Sequence, residues 1–472
     1  MEPTAPIPQS PADGAGHHLS FLPLGTMAFC LCVTAFGAPP AVLCASTPSQ
    51  IPLFMEAPSV VPPAITQALP APQILKRWVR RQRTMTLNPA ALDVMSRPRA
   101  EAQTDVTLNL FDAGLRTLDL DQPREHPNRT KVWRGRLRGE TGSDVTLVTH
   151  GTAMVGTILS NQRMYKIETT GGSLHRLVEV DEEALPPDHH PLVVADDDAV
   201  AVPPTGGTSQ QTDTTAAAAV DSVVDLLVVY TSAAKTQEGG QAAMEALIAL
   251  GVDSANQAYS NSQISMQLRL VHTAEVAYSE SGVIDTDLTH LRSTTDGIMD
   301  QVHQLRDQHK ADLVALIVDN GGGFCGIAYV MTNGPRASFA SSAFSVTARD
   351  CVANNTLAHE MGHNMGNAHD RATGGTGVFA YSYGYRDEVG RFRTVMAYAC
   401  PTVPCPRVKY FSNPNIMING RPAGIDHAVD PTNSADNARS MNDVRQIVAA
   451  WRTGTADVTP PVAPTNLRVI SP

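Results

Sequence analysis

AHEMGHNMGNAHD, residues 358–370, decides how the rest of the chain is read. It contains the pattern H-E-x-x-H-x-x-G-x-x-H-D at His359, Glu360, His363, Gly366, His369 and Asp370. Two histidines four apart on a helix share one face, with Cβ atoms about 5–6 Å apart, so their rings can grip one metal ion. Gly366 lets the chain leave that helix through a left-handed conformation that a side chain resists, and the turn returns His369 to the same ion. Three neutral imidazoles with a fourth tetrahedral position open to water are the donor set of a catalytic zinc site, not of a closed structural one. Glu360, beside the first ligand, is expected to face that water, take its proton as general base and pass it to a leaving amine. The plain alternative is an exposed helix end with solvated histidines. Five fixed positions would arise by accident with odds on the order of 10⁻⁴ in a chain this long.

Downstream, Thr394-Val395-Met396-Ala397-Tyr398 reads as a methionine turn. With the extended histidine motif it makes the chain resemble the metzincin zinc endopeptidases, the reprolysin-like branch in particular. The resemblance implies an α/β (α+β) catalytic domain with a twisted mixed sheet and a zinc helix, preceded by a mainly β propeptide domain. It implies that Met396 is an apolar floor under the three histidines, its thioether packing rather than ligating. Tyr398 matches a tyrosine of astacin-like and serralysin-like relatives, which ligates resting zinc or donates to the tetrahedral intermediate; a core tyrosine is the alternative. Asp370 is the reprolysin-like choice after the third histidine, expected to anchor the loop or a ligand by hydrogen bonding. The motif thus mixes features of several branches. Ala399–Pro406 would form the wall of the S1′ pocket, and an edge strand near residues 327–346 would hold the substrate backbone by β-augmentation.

A length of 472 residues allows two or three domains. The net charge of −11 argues against a nucleic-acid partner. An apolar stretch, Leu19 to Cys44, reads as a secretory signal with cleavage before Ser46, although no Lys or Arg precedes it and Pro39-Pro40 interrupts it. Those prolines also disfavour a membrane span. The expectation is a secreted monomer with no span in its mature form, periplasm or cell surface being alternatives. Three cysteines, Cys30, Cys32 and Cys44, fall in the signal. The other four, Cys325, Cys351, Cys400 and Cys405, are an even number that fits an oxidising compartment. Of their three pairings, Cys400–Cys405 closes a short loop and Cys325–Cys351 ties a strand to the start of the zinc helix; these two are preferred over four buried thiols.

The expected boundaries are a signal at 1–45, a propeptide at 46–194, a linker at 195–219, a catalytic domain at 220–455, and a linker with the start of a fibronectin-type module at 456–472. Residues 46–75, rich in Pro and Ala, are expected to be mobile, and Lys76–Arg83 to be the solvated face of a first strand. Alternation at 104–110, 131–137, 144–148, 154–159 and 163–167 predicts a compact antiparallel domain without a catalytic constellation, similar to the propeptides that precede reprolysin-like domains. No cysteine lies between Cys44 and Cys325, so a blocking thiolate is absent; latency would need a carboxylate, His189 or His190, or plain steric cover.

Beyond the linker, strands are predicted at 223–230, 264–271, 311–318, 327–331 and 339–346, and helices at 241–259 and 287–309. This order gives an α/β sheet. The zinc helix should start between Asp350 and Asn355 and reach about Met365. A closing helix is predicted over 434–451 with Ser434 as cap. Tyr381, Tyr383 and Tyr385 are expected to pack rather than line the cleft. Calcium is possible but unassigned, because Asp253, Asp319 and Asp350 show no loop signature. These readings converge on a secreted zinc endopeptidase made as a zymogen, acting on protein or peptide substrates, with its own propeptide as intramolecular inhibitor. A catalytically silent zinc-dependent binding module and a zinc hydrolase of other amides are the alternatives.

Overall fold

The structure is a computed structural model that describes residues 49–56, 76–98, 104–126, 128–194 and 222–452. The expected signal, the 195–219 linker and the 456–472 tail lie outside the described residues. Two main sheets organise the rest.

The N-terminal sheet has 11 strands. It runs antiparallel from Thr104–Asn109 through Leu115–Leu120, Lys131–Leu137, Asp144–His150, Ala153–Ser160, Arg163–Gly171 and Leu174–Val180 to Val79–Leu87. Strands Ser49–Pro52 and Phe54–Glu56 pair with the two opposite ends of that order. Leu53, fully buried between them, donates its amide to the Thr107 carbonyl and accepts from the Asn88 amide. One short stretch therefore ties both edges, which corrects the expectation of a mobile 46–75 at residues 49–56. The reason is that edge strands need backbone partners more than side-chain periodicity, and Pro52 at an edge is tolerated.

Successive side chains on a strand face opposite ways, and here each face meets a different core. Trp133, Leu147, Met154 and Leu177 pack into a core confined to the N-terminal sheet. Their neighbours Val132, Val148, Val155 and Val178 join the core of the C-terminal half. The helix Gln241–Asn261 is the layer between: Arg134 grips Asp253 with two bonds of 2.7 Å, and Gln257 donates to Asp144 at 2.8 Å. The sheet is therefore covered on both sides.

The C-terminal sheet orders its strands Leu192–Val193, Gly326–Val330, Phe344–Ala348, Leu313–Val318, Ser222–Thr231, Met266–Val276. All pairs are parallel except Gly326–Val330 against Phe344–Ala348. Leu313–Val318, LVALIV, is buried at every position, as a parallel strand covered on both faces requires. The mixed α/β content expected from the sequence is present.

Three boundaries differ from the sequence expectation. The single helix expected at 287–309 is two, Ile284–Arg292 and Gln301–His309. Ser293-Thr294-Thr295-Asp296-Gly297 interrupts it, because Asp296 takes the Ile298 amide at 2.9 Å and Gly297 adopts φ +78°. The strand expected at 339–346 begins only at Phe344, after a 3₁₀ turn at Ala337–Ser342. The closing helix is Asn437–Val448, capped by Asp436 rather than Ser434; the Ser434 hydroxyl instead bonds Arg371 and His427. The structure joins Cys325 to Cys351 and Cys400 to Cys405.

Trp133 is fully buried and donates its indole N–H to the Met95 carbonyl at 3.1 Å. Trp133→Ala should destabilise the chain by about 3–5 kcal/mol. Because the same strand carries Val132 into the other core, urea unfolding should remain one transition by far-UV dichroism and tryptophan fluorescence; two separated transitions would contradict the shared core.

Candidate metal centre

The helix Thr356–Asn364 places His359 and His363 one turn apart, buried at every position. Its Asn355 start is left-handed, at φ +60°, and makes no side-chain cap. Gly366 follows at φ +85°, and a Cβ added there would lie 2.5 Å from the Val378 Cβ. The chain then turns into the short strand Ala368–Asp370, paired with Tyr383–Gly384, and delivers His369. The three Nε2 atoms converge: His359 to His363 is 3.1 Å, His359 to His369 is 3.1 Å, and His363 to His369 is 3.0 Å.

The other ring nitrogens explain the orientation. Nδ1 of His359 donates to the Val395 carbonyl at 2.9 Å, and Nδ1 of His363 to the Asn367 carbonyl at 2.7 Å. Those two Nε2 atoms then carry lone pairs, not protons, toward a shared centre. Lone pairs this close repel unless a cation sits among them. Tetrahedral zinc with bonds of about 2.0–2.1 Å sets N–N distances near ~3.3 Å, and the triad needs only a small expansion to match. Burial lowers His359 to about 4, and burial with the neighbouring imidazoles takes His363 and His369 well below the usual histidine range. The rings are neutral at pH 7, the form that binds a metal.

The supports are local. Met396 is fully buried under the helix, and a Cβ on Gly362 would overlap its sulfur, so the glycine admits the thioether. Asp370 accepts from the Thr373 hydroxyl at 2.8 Å and the Tyr398 amide at 3.1 Å, with Arg386 at 3.4 Å. It pins the loop carrying Tyr398, whose ring lies 4.3 Å from that of His369. Glu360 is fully buried, and among the described residues neither of its carboxylate oxygens has a hydrogen-bond partner. Burial first, and the Asp188 carboxylate second, push its carboxyl well above the usual range. Tyr381 donates to Asp443 and Tyr383 to the Gly375 carbonyl. The acidic residues weighed for calcium serve arginines instead: Asp253 pairs with Arg134, and Asp319 and Asp350 with Arg349.

The sequence did not single out the group lying next to this centre. Residues 187–193 run along Gly326–Val330: the Cys325 amide donates to the Pro187 carbonyl and the His189 amide to the Gly326 carbonyl, both at 2.8 Å. Further along, Leu192 and Val193 pair parallel with Tyr329 and Val330. Between these bonds the buried Asp188 turns inward. Its carbonyl accepts from the Tyr398 hydroxyl at 2.5 Å. Its carboxylate forms an ion pair with Arg407, lies 3.4 Å from the Thr356 hydroxyl, and comes within 3.9 Å of Nδ1 of His359. Burial, the largest single influence, raises that carboxyl, but Arg407, His359 and Arg393 together outweigh it and hold it well below the usual range. Glu182 accepts from the Arg407 amide at 3.1 Å and lies 3.8 Å from Arg393. His190 is exposed, its ring 5.5 Å from His369. Both the Asp188 carboxylate and the His190 ring thus lie beside the triad.

A family profile described as Metallo-peptidase family M12B Reprolysin-like matches residues 220–426. A peptidyl-Asp metalloendopeptidase of Stenotrophomonas maltophilia (strain R551-3) is 34% identical over 345 residues, 69% of this chain and 78% of the relative. A protein of the same name from Xanthomonas campestris pv. campestris is 33% identical over 335 residues, 68% and 76% of the two chains. With the histidine triad in place and these relatives matched over most of their length, the chain belongs to the reprolysin-like metalloendopeptidases of family M12B.

Proposed function

We propose that this chain is a zinc endopeptidase, exported and made as a zymogen, that cuts protein or peptide chains beside acidic residues. One observation carries the reading: three imidazole nitrogens 3.0–3.1 Å apart next to a buried glutamate with no partner of its own. A carboxylate so placed costs stability, which a binding module would have no reason to keep. Bound zinc would supply Lewis-acid polarisation of the scissile carbonyl and of a water.

The chain's own residues do the rest. His359, His363 and His369 hold the ion, oriented by the Val395 and Asn367 carbonyls. Glu360 takes the proton of the attacking water on a carboxylate oxygen and returns it to the leaving amine. Tyr398, whose hydroxyl donates to a backbone carbonyl in the cleft, would donate to the oxyanion. Gly326–Val330 holds the substrate backbone as an added strand.

The acidic preference is supported by the relatives' name, peptidyl-Asp metalloendopeptidase. Export is supported by the apolar stretch at 19–44 and by two disulfides; among the described residues, no helix is long and apolar enough to cross a membrane. The zymogen reading, with a propeptide at 46–194 and a catalytic domain at 220–455, is supported by the 187–193 segment lying over the site.

Glu360→Gln should lower turnover on casein by about 10²–10⁴-fold while elemental analysis still finds one zinc per chain. Tyr398→Phe should lower kcat by about 10²-fold with KM little changed. Gly366→Ala forces a side chain into a left-handed conformation costing about 1–2 kcal/mol, and should lower both the melting temperature and zinc retention on dialysis. N-terminal sequencing of the active secreted form should begin beyond residue 194. A purified mature form without stoichiometric zinc, or one that digests protein equally well after chelation, would refute the reading.

A further inference from the structure

Arg407 is a buried cation whose carboxylate partner comes from far away in the chain. Its side chain is 2% exposed and that of Asp188 is 4% exposed. One guanidinium nitrogen pairs with Asp188, another donates to the Asn354 carbonyl at 3.2 Å, and among the described residues Nε has no partner. The pair spans 219 residues and crosses the 195–219 linker. A buried guanidinium stripped of its anion is strongly unfavourable. Departure of the 187–193 segment would leave the anion site of Arg407 open to another carboxylate.

Asp188 is held in the manner expected of a substrate residue. The backbone on either side of it is bonded to Cys325 and to Gly326 at the start of the strand, and its carbonyl meets the Tyr398 hydroxyl. Its side chain projects beside the histidine-bearing helix, at Thr356 and His359, against the segment that follows the Cys400–Cys405 loop. The other Arg407 contact, to Asn354, fixes the guanidinium fork before any ligand arrives, and a fixed fork favours a planar carboxylate over a neutral amide.

We propose that Arg407 is the specificity-determining residue of this cleft, the counter-ion for an acidic side chain of the substrate next to the metal centre, and that Asp188 fills that subsite in the uncleaved chain. This rests on the endopeptidase reading above and assigns its acidic preference to one side chain.

The test uses the zinc-loaded full chain and two blocked tetrapeptides, acetyl-Ala-Ala-Asp-Ala-amide and its Asn counterpart. Glu360→Gln is included so that nothing is cut during calorimetry. With Asp188→Ala added, the Asp peptide should bind at least tenfold more tightly than the Asn peptide. It should also bind at least tenfold more tightly than to the chain that keeps Asp188. Adding Arg407→Gln should bring the two peptides to equal affinity. Equal affinities while Arg407 is present overturn the assignment, as does an Asp preference that survives Arg407→Gln. Exclusion of both peptides by the Asp188→Ala chain overturns the claim that Asp188 is what fills the subsite. If Arg407→Gln does not fold by thermal scanning, Arg407→Lys replaces it and should reduce the Asp preference without abolishing it; an undiminished preference overturns the assignment. Turnover by Asp188→Ala with Glu360 intact separates the two readings. Peptide hydrolysis without acidic preference sinks this inference alone, whereas acid-selective binding with no hydrolysis of any peptide sinks the endopeptidase reading.

Discussion

Three imidazole rings converge on one buried point, two of them with Nε2 lone pairs turned inward by the carbonyls behind them. The Nε2 atoms lie 3.0–3.1 Å apart, and burial keeps the rings neutral, so the convergence is repulsive by itself. The surroundings hold it in place. Two backbone carbonyls fix two rings, Gly366 turns the chain so that the third arrives, and the Met396 sulfur closes the floor where Gly362 leaves room. The binding energy of a metal can therefore be spent on affinity and polarisation rather than on reorganising ligands.

The N-terminal sheet is not an appendage to this site. Its strands send alternate side chains into two cores, and its last segment continues from Val180 past Glu182 to Asp188 and into the cleft. Glu182 and Asp188 bring carboxylates to two buried arginines, Arg393 and Arg407. Packing, charge neutralisation and cover of the metal centre thus come from one continuous stretch, and loosening any of them exposes the others.

What the sequence disclosed follows from the range of the interactions involved. The histidine spacing is legible because helix geometry is local: four residues fix a face, and a glycine three residues later fixes a turn. The strand Leu313–Val318 is legible because a buried parallel strand is apolar throughout. The helix break at 293–300 carries a local signal, the turn dipeptide Asp296-Gly297, whose carboxylate takes the Ile298 amide. The two-faced burial of the N-terminal sheet could not be read, because Val148 and Leu147 look alike until the helix Gln241–Asn261 is known to cover one of them. Asp188 and Arg407, 219 residues apart, have no periodic signature, and a carboxylate in a Pro-rich stretch resembles any solvated one.

The position of Asp188 separates two ways of covering a metalloprotease cleft. A carboxylate could close it by ligating the metal, or by filling the pocket beside it. Asp188, His359 and Glu360 do lie close enough to form a second group of metal donors. The nearest approach of Asp188 to His359, however, is 3.9 Å to Nδ1, the nitrogen turned away from the shared centre and already bonded to Val395. Its negative charge is met by Arg407, with both side chains almost fully buried. A charge neutralised in that way has little left to offer a cation. Under the proposed zymogen reading, uncovering the cleft would free a pocket and the Tyr398 hydroxyl rather than a metal ligand. Under the proposed role of Arg407, the contest for the cleft would lie between two carboxylates, one carried by the chain and one by its substrate, for the same guanidinium.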